Sequence, residues 1–369
     1  MKRLSPTRRL LILSLTVALW LAVPLPVPIT PGAQQTVITR HPRLCVHTRL
    51  TDEVETWKVK RTLEMVRLMG AQTIVEYFPW AYVQPTAHSS DFSHPDRIMR
   101  FANAQGLRVI ARVGLVPHWA RPRTAPDQPA PTDTHLDPHD YQAFADYLAQ
   151  FAQRYHGQIA ALVVWNEPNL ALEWGYRAPD PSGYLKLLQV VYPTVKAVAP
   201  DLPIVAGTLA PTLEPSGSPN AMNDLTYLSA LYANGFSQVY DVLGVHAYGM
   251  GQAFDQTPSP SVLNYRRVEL VRQLMVSAGD GHKPIYITES GWNDSPRWVF
   301  ASSPAERIHN TLGSYQWAEA HWQWADVVCS WAFRYPARYY SYFDHYSFVT
   351  PEFEALPIYE AVREWAVGQ

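Results

Sequence analysis

Cysteine is almost absent from this 369-residue chain: only Cys45 and Cys329 occur. Two thiols so distant in sequence offer no zinc-ligand spacing, and they exclude a disulfide-rich scaffold. An excess of charge of one sign is also missing. Thirty Lys and Arg stand against 32 Asp and Glu, with no long basic run, so a nucleic-acid partner has no electrostatic support. No glycine-rich phosphate turn follows the first strand candidate, where the chain reads "CVHTRLTDEVE". That argues against a doubly wound nucleotide-binding sheet. No internal repeat or low-complexity tract stands out, and no second domain.

Long hydrophobic runs are scarce. The apolar stretch at 10–23 is too short to span a bilayer comfortably, and Lys2, Arg3, Arg8 and Arg9 precede it. Residues 1–33 therefore read as an export signal, with an uncleaved N-terminal anchor as the alternative. The expected location is secreted or cell-envelope associated, with no membrane contact beyond such an anchor.

Aromatic residues are plentiful, with 13 Trp and 21 Tyr. They fill a core or line a site where flat sugar faces stack, and position decides between the two. From about residue 42, short β-like runs alternate with helical stretches. The strand candidates cover 44–48, 73–78, 108–113, 161–166, 203–207, 241–248, 284–290 and 327–333. Between them, "DYQAFADYLAQFAQRY" puts Phe144, Tyr147, Leu148 and Phe151 on one helical face, with Asp137 and Pro138 as its start. Residues 184–198, 268–278 and 304–322 read as helices in the same way.

Eight strands rich in Val, Ile, Leu and Ala, alternating with helices, predict parallel β-structure buried on both faces. Closure gives a single α/β domain over 42–369, a (β/α)8 TIM barrel with enlarged βα loops at its C-terminal mouth. The longest irregular stretches, 117–139, 169–183, 249–263 and 334–356, all follow strands. In that frame Glu167 follows strand four and Glu289 ends strand seven. Two carboxylates facing across one pocket are what glycosidic cleavage needs, one as proton donor and one as nucleophile. The segment "THLDPHD" (134–140) is dense in His and Asp, but its Pro and capping position make it a helix start rather than a metal site.

"WNEPN" (165–169) with "ITESGW" (287–292) resembles the large clan of retaining (β/α)8 glycoside hydrolases, most of all its β-xylosidase and iduronidase-like branch. The resemblance covers the chain from about residue 42 onward, through strand order as well as these motifs. It implies Glu167 as acid/base and Glu289 as nucleophile. "VHAYG" (245–249) and "SWAF" (330–333) fit the sites that such enzymes place after strands six and eight. Asn166 is then expected to bind a sugar 2-hydroxyl, Tyr248 or His246 to hold Glu289, and Trp331 to floor the subsite. Trp80, His118 and Trp119 are candidates for the cleft wall, and Pro168 is expected to hold Glu167 in extended backbone and so to aim its side chain. Clan members usually carry an Arg near the end of strand two. Here that position is Val75, with Glu76 next, and Arg112 or Arg334 is the candidate to supply the charge.

The implied activity is retaining hydrolysis of a polysaccharide or oligosaccharide. The alternatives are a non-catalytic carbohydrate-binding barrel and a transglycosylase using the same carboxylates. No cofactor or metal is expected, because two carboxylates suffice. Cys45 and Cys329 become neighbours if strands one and eight meet. The expectation is two buried thiols, with a disulfide as the alternative that export would permit.

Overall fold

The structure, a computed structural model, describes residues 33–122 and 131–368. Eight parallel strands close into a barrel in chain order. They are β1 (Leu44–His47), β2 (Thr73–Pro79), β3 (Arg108–Gly114), β4 (Ile159–Val164), β5 (Ile204–Leu209), β6 (Val242–Tyr248), β7 (Ile285–Gly291) and β8 (Ala325–Ser330). A principal helix follows each: α1 (Thr56–Leu68), α2 (Ser93–Ala104), α3 (Tyr141–Arg154), α4 (Pro181–Val198), α5 (Asp224–Tyr232), α6 (Val268–Ser277), α7 (Pro304–His321) and α8 (Pro357–Val367). The expected (β/α)8 architecture is the observed one.

Local chemistry sets the helix starts. Ser303 and Glu306 form a reciprocal capping box at α7, with Pro304 at its first position. The Asp137 side chain accepts from the His139 N–H and caps a single turn, Pro138–Asp140, that leads into α3. The segment 134–140 is therefore a helix start, as its Pro and capping position imply.

Alternation along the strands separates two cores. Leu44, Val46, Ile74, Val109 and Ala111 belong to the large cluster between strands and helices. Cys45, Val75, Ile110, Val163, Val205, Val242 and Cys329 fill the barrel interior. Burying each of these aliphatic side chains contributes about 1.5–3 kcal/mol. Two residues further along, on the same inward side and one layer nearer the mouth, come His47, Tyr77 and Arg112. On β6 the same step runs Val242, Gly244, His246, Tyr248. Val75 thus belongs to the packed floor. Glu76 points to the other side, where it accepts from Thr48 Oγ1 and the N–H groups of Leu50 and Thr51.

Two expectations are corrected. Cys45 and Cys329 are disulfide-bonded rather than free thiols. Closure places them directly opposite in register, with Cα atoms 4.1 Å apart, and both face the interior layer. Strands four and eight also end earlier than expected, at Val164 and Ser330. Trp165, Asn166 and Trp331 are therefore the first residues beyond strand ends. No helix among the described residues is long and apolar enough to cross a membrane. The leader or anchor read at 1–33 falls almost wholly outside the described residues.

Candidate active site

Glu289, on β7, is buried, and two donors hold its carboxylate. Arg112 Nη1 donates to Oε1 at 2.6 Å, and the Tyr248 hydroxyl donates to Oε2 at 2.7 Å. Arg112 Nη1 also donates to Asn166 Oδ1 at 2.7 Å. The guanidinium lies over the ring of Tyr77, its register partner on β2, at 4.9 Å. The charge expected from strand two thus comes from strand three, because Arg112 stands one inward step above Ile110. Arg334, the other candidate, is occupied elsewhere. It pairs with buried Glu53 and donates to the Pro351 carbonyl. Burial first, and then the Glu289 charge, hold the Tyr248 phenol well above its ordinary range, so it stays a donor.

Glu167 is aimed by a different device from the one expected. Its φ is +39°, beside Trp165 at +72°, so Pro168 does not hold it in extended backbone. Left-handed backbone at a residue with a side chain costs about 1–3 kcal/mol and persists only where neighbours over-determine it. The Glu167 N–H donates to the Thr208 carbonyl at 3.1 Å, and its carbonyl accepts from the Leu170 N–H at 2.9 Å. Buried Asn169 ties the next turn to Ala210 and Met222. The side chain that results reaches His246, whose Nδ1 lies 2.7 Å from Glu167 Oε1 and 3.6 Å from Glu289 Oε2. His246 therefore serves Glu167 more closely than Glu289. A register shift at Val245/His246, which pairs His246 with Glu289, sets this placement. Burial disfavours charge on the imidazole, but Glu289 and Glu167 outweigh it and raise its pKa.

One oxygen of Glu167, one of Glu289 and a His246 nitrogen all lie within 4.8 Å of one another. A divalent cation could bridge atoms at that spacing. Every one of these groups already has a protein partner, and the Arg112 cation sits against Glu289. The atoms that face one another therefore read as a hydrogen-bonded network rather than a metal cage.

Trp331 stands at the mouth, partly exposed, with its indole N–H donating to the Tyr335 hydroxyl at 2.7 Å. The Trp331–Ala332 peptide bond is cis. His47 meets the Trp331 ring edge-on at 4.4 Å. Its Nδ1 lies 2.8 Å from the Thr48 carbonyl, which can only accept. The proton is therefore on Nδ1, and buried Nε2, which has no partner among the described residues, is left as an acceptor. Burial and then Arg112 hold this imidazole well below its ordinary pKa, so the ring stays neutral.

Of the other site residues, Arg112 was named as a candidate and His47 was missed, although both were legible by strand parity, since each stands two residues beyond an interior residue. Glu173 was not. It lies in the irregular stretch after β4, within the turn Ala171–Trp174, where no periodicity marks it. Burial, followed by the Glu167 charge, pushes its carboxyl up to about 7.

Some expected site residues are not brought to the carboxylates. Trp80 is fully buried and packs against Trp119, Phe144 and Tyr147. It is a core residue, since the single turn Trp80–Val83 turns its indole toward α3. Trp119 donates its indole N–H to the Gln84 carbonyl at 3.0 Å, and His118 is exposed beside it.

No protein-family model and no curated sequence matches the chain. Among solved structures, a family 39 glycoside hydrolase from the gut symbiont Bacteroides cellulosilyticus aligns with a TM-score of 0.70 at 20% identity. The match covers 89% of this chain and 64% of that one, so this chain spans less than two thirds of that protein. A family 39 β-xylosidase from Caulobacter crescentus gives 0.65 at 16% identity, over 90% of this chain and 72% of its own. A family 5 glycoside hydrolase from Bifidobacterium longum gives 0.62 at 14%, over 88% and 77%. At these identities the likeness is one of fold.

Proposed function

We propose that the protein is a retaining glycoside hydrolase. The observation that carries this reading is the approach of Glu167 and Glu289, whose nearest oxygens lie within 4.8 Å across the barrel mouth. Retaining enzymes hold their two carboxyl groups about 5–5.5 Å apart, whereas inverting enzymes leave room for a water between them. The solved structures with this fold include glycoside hydrolases of families 39 and 5, which agrees with it.

The groups divide by environment. Glu289, held by Arg112 and Tyr248, is the carboxylate that attacks the anomeric carbon. Glu167, beside His246, gives its proton to the leaving oxygen as that bond breaks. Water then attacks the glycosyl–Glu289 ester, Glu167 takes the water's proton, and the sugar leaves with net retention. His47 Nε2 accepts from a sugar hydroxyl, and Asn166 faces the hydroxyl next to the anomeric centre. Trp331 supplies a flat face under the ring.

The substrate is an oligosaccharide or polysaccharide. A cleft of about 950 Å³ between the loops after β7 and β8 shares Tyr335 with the site and is lined by Trp298, Tyr340 and Tyr342. That gives room and stacking surface for further sugar units. Export fits the disulfide, since such bonds persist in oxidising compartments.

The test is Glu289→Gly with azide. Turnover of an aryl glycoside should vanish and return as a glycosyl azide of inverted configuration, because azide attacks once from the face that Glu289 occupied. Wild-type turnover by Glu289→Ala ends this reading.

A further inference from the structure

The loop after β8 holds a nearly bare aromatic ring on strained backbone. Tyr340 is 89% exposed, and its φ is +55°. Left-handed backbone at a residue with a side chain persists only where the surroundings impose it. Asp344 imposes it here. One of its oxygens accepts from the Tyr339 N–H at 2.9 Å, and the other accepts from the Tyr340 N–H at 2.8 Å. Ser341 accepts from the Phe343 N–H at 3.3 Å and starts the short turn Tyr342–Tyr346. That turn is fastened to the neighbouring βα unit. Asn293, just beyond β7, donates to the Tyr342 carbonyl at 2.6 Å. Arg307 of α7 donates to the Tyr346 and Ser347 carbonyls at 2.6 and 2.9 Å, and to Asp294 Oδ2 at 3.1 Å. The aromatic segment is thus tied down at both of its ends.

Two files of rings lead from this segment to the catalytic mouth. Trp331 donates to the Tyr335 hydroxyl, and Tyr335 meets Tyr339 edge to face at 5.0 Å. Tyr248, which holds Glu289, meets Tyr346 at 5.7 Å, and Tyr346 meets Trp298 at 6.2 Å. Trp298 in turn stacks on Tyr342 at 5.2 Å and joins the loops after β7 and β8. Exposed rings this continuous mark a contact surface, unlike apolar residues scattered singly.

Resting on the hydrolase reading above, we propose that Tyr340 is the outer platform of a preformed oligosaccharide cleft, which takes a chain of pyranose units with equatorial hydroxyls. Asp344 is its positioning residue. The lining chooses the occupant, because the rings stand among Ser341, Arg297 and Arg338. A pyranose with equatorial hydroxyls has the matching form, with C–H faces above and below and hydroxyls around its rim. An aliphatic partner would cover those polar groups without pairing them. Because Asp344 fixes the ring beforehand, binding does not have to order it.

Two measurements test the cleft separately from the hydrolase reading. The first is isothermal titration of Glu289→Gln, which leaves the chain uncut, with cello- and xylo-oligosaccharides from disaccharide to hexasaccharide. Affinity for one series should rise with chain length. Adding Tyr340→Ala should weaken hexasaccharide binding about three- to tenfold, and Tyr340→Phe, which keeps the ring, should restore most of it. The second is steady-state kinetics on the same series. Asp344→Ala, which frees the backbone beneath the ring, should raise KM on the hexasaccharide with kcat kept. Failure of both series to bind, affinity independent of chain length, or hexasaccharide binding unmoved by Tyr340→Ala overturns the proposal. A KM unmoved by Asp344→Ala overturns the positioning role. A wild-type protein that binds these chains but cleaves no glycoside sinks the hydrolase reading instead, and leaves the cleft standing.

Discussion

Arg112→Met removes one cation from the buried mouth and keeps most of its volume. Its Nη1 makes a charge-assisted bond of 2.6 Å to Glu289, and both side chains are about nine-tenths buried, so water does little to screen the pair. A hydrogen bond to a charged group contributes about 1.5–3 kcal/mol. If that contribution is present in the transition state and lost in the variant, kcat/KM falls about 10- to 150-fold, at 1.36 kcal/mol for each factor of ten. The same change strands a carboxylate in the interior. Removing one partner of a buried pair costs about 3–5 kcal/mol, although Glu289 can relieve part of that by taking up a proton. The assays are aryl-glycoside kinetics across pH and thermal unfolding of four proteins: wild type, Arg112→Met, Glu289→Gln and the double variant. Because Glu289→Gln has no charge to strand, the double variant should unfold at a higher temperature than Arg112→Met alone. Strict additivity of the two single effects, or an Arg112→Met kcat/KM within about twofold of wild type, would refute the reasoning.

Three further outcomes are expected. Reduction, or Cys45→Ser with Cys329→Ser, should lower stability by about 2–5 kcal/mol, because the bond closes nearly the whole barrel; differential scanning calorimetry with and without reductant reads this, and an unchanged Tm contradicts it. His246 has a raised folded-state pKa, so its charge contributes stability below the ordinary imidazole value of 6.5 and loses it as pH rises through the folded value. The Tm gap between wild type and His246→Gln should therefore be widest at acid pH and close toward alkaline pH, and a gap that widens instead goes against the pairing. Glu173, raised to about 7, loses stability for the fold as pH rises from its ordinary 4.5 through that value. Glu173→Gln should consequently gain on wild type above neutrality, by at most about 3 kcal/mol and less where water screens the group, whereas a mere loop anchor would lose stability at every pH.

The strands and the two principal carboxylates were legible because the information is local. Apolar runs such as "ALVV" (161–164) and the turn chemistry of "NEP" (166–168) are properties of a few consecutive residues. The helix start at Asp137 was equally readable, since capping needs only the next two residues. Glu167 was found for partly the wrong reason. Its side chain is aimed by left-handed backbone held across to Thr208, a bond to another strand that no proline rule contains. Trp80 was misplaced because an aromatic after a strand end looks the same in sequence whether it faces the cleft or α3.

By itself, then, the sequence determined that eight βα units close into one barrel and that Glu167 and Glu289 stand at its mouth, because periodicity and chain order suffice for both. Only the tertiary structure decided that Arg112 supplies the charge that Val75 does not, that His246 leans to Glu167, and that Cys45 joins Cys329. Each of these depends on the register between strands or on how a loop folds back. Those are set by packing over long sequence distances, which no short window of residues records.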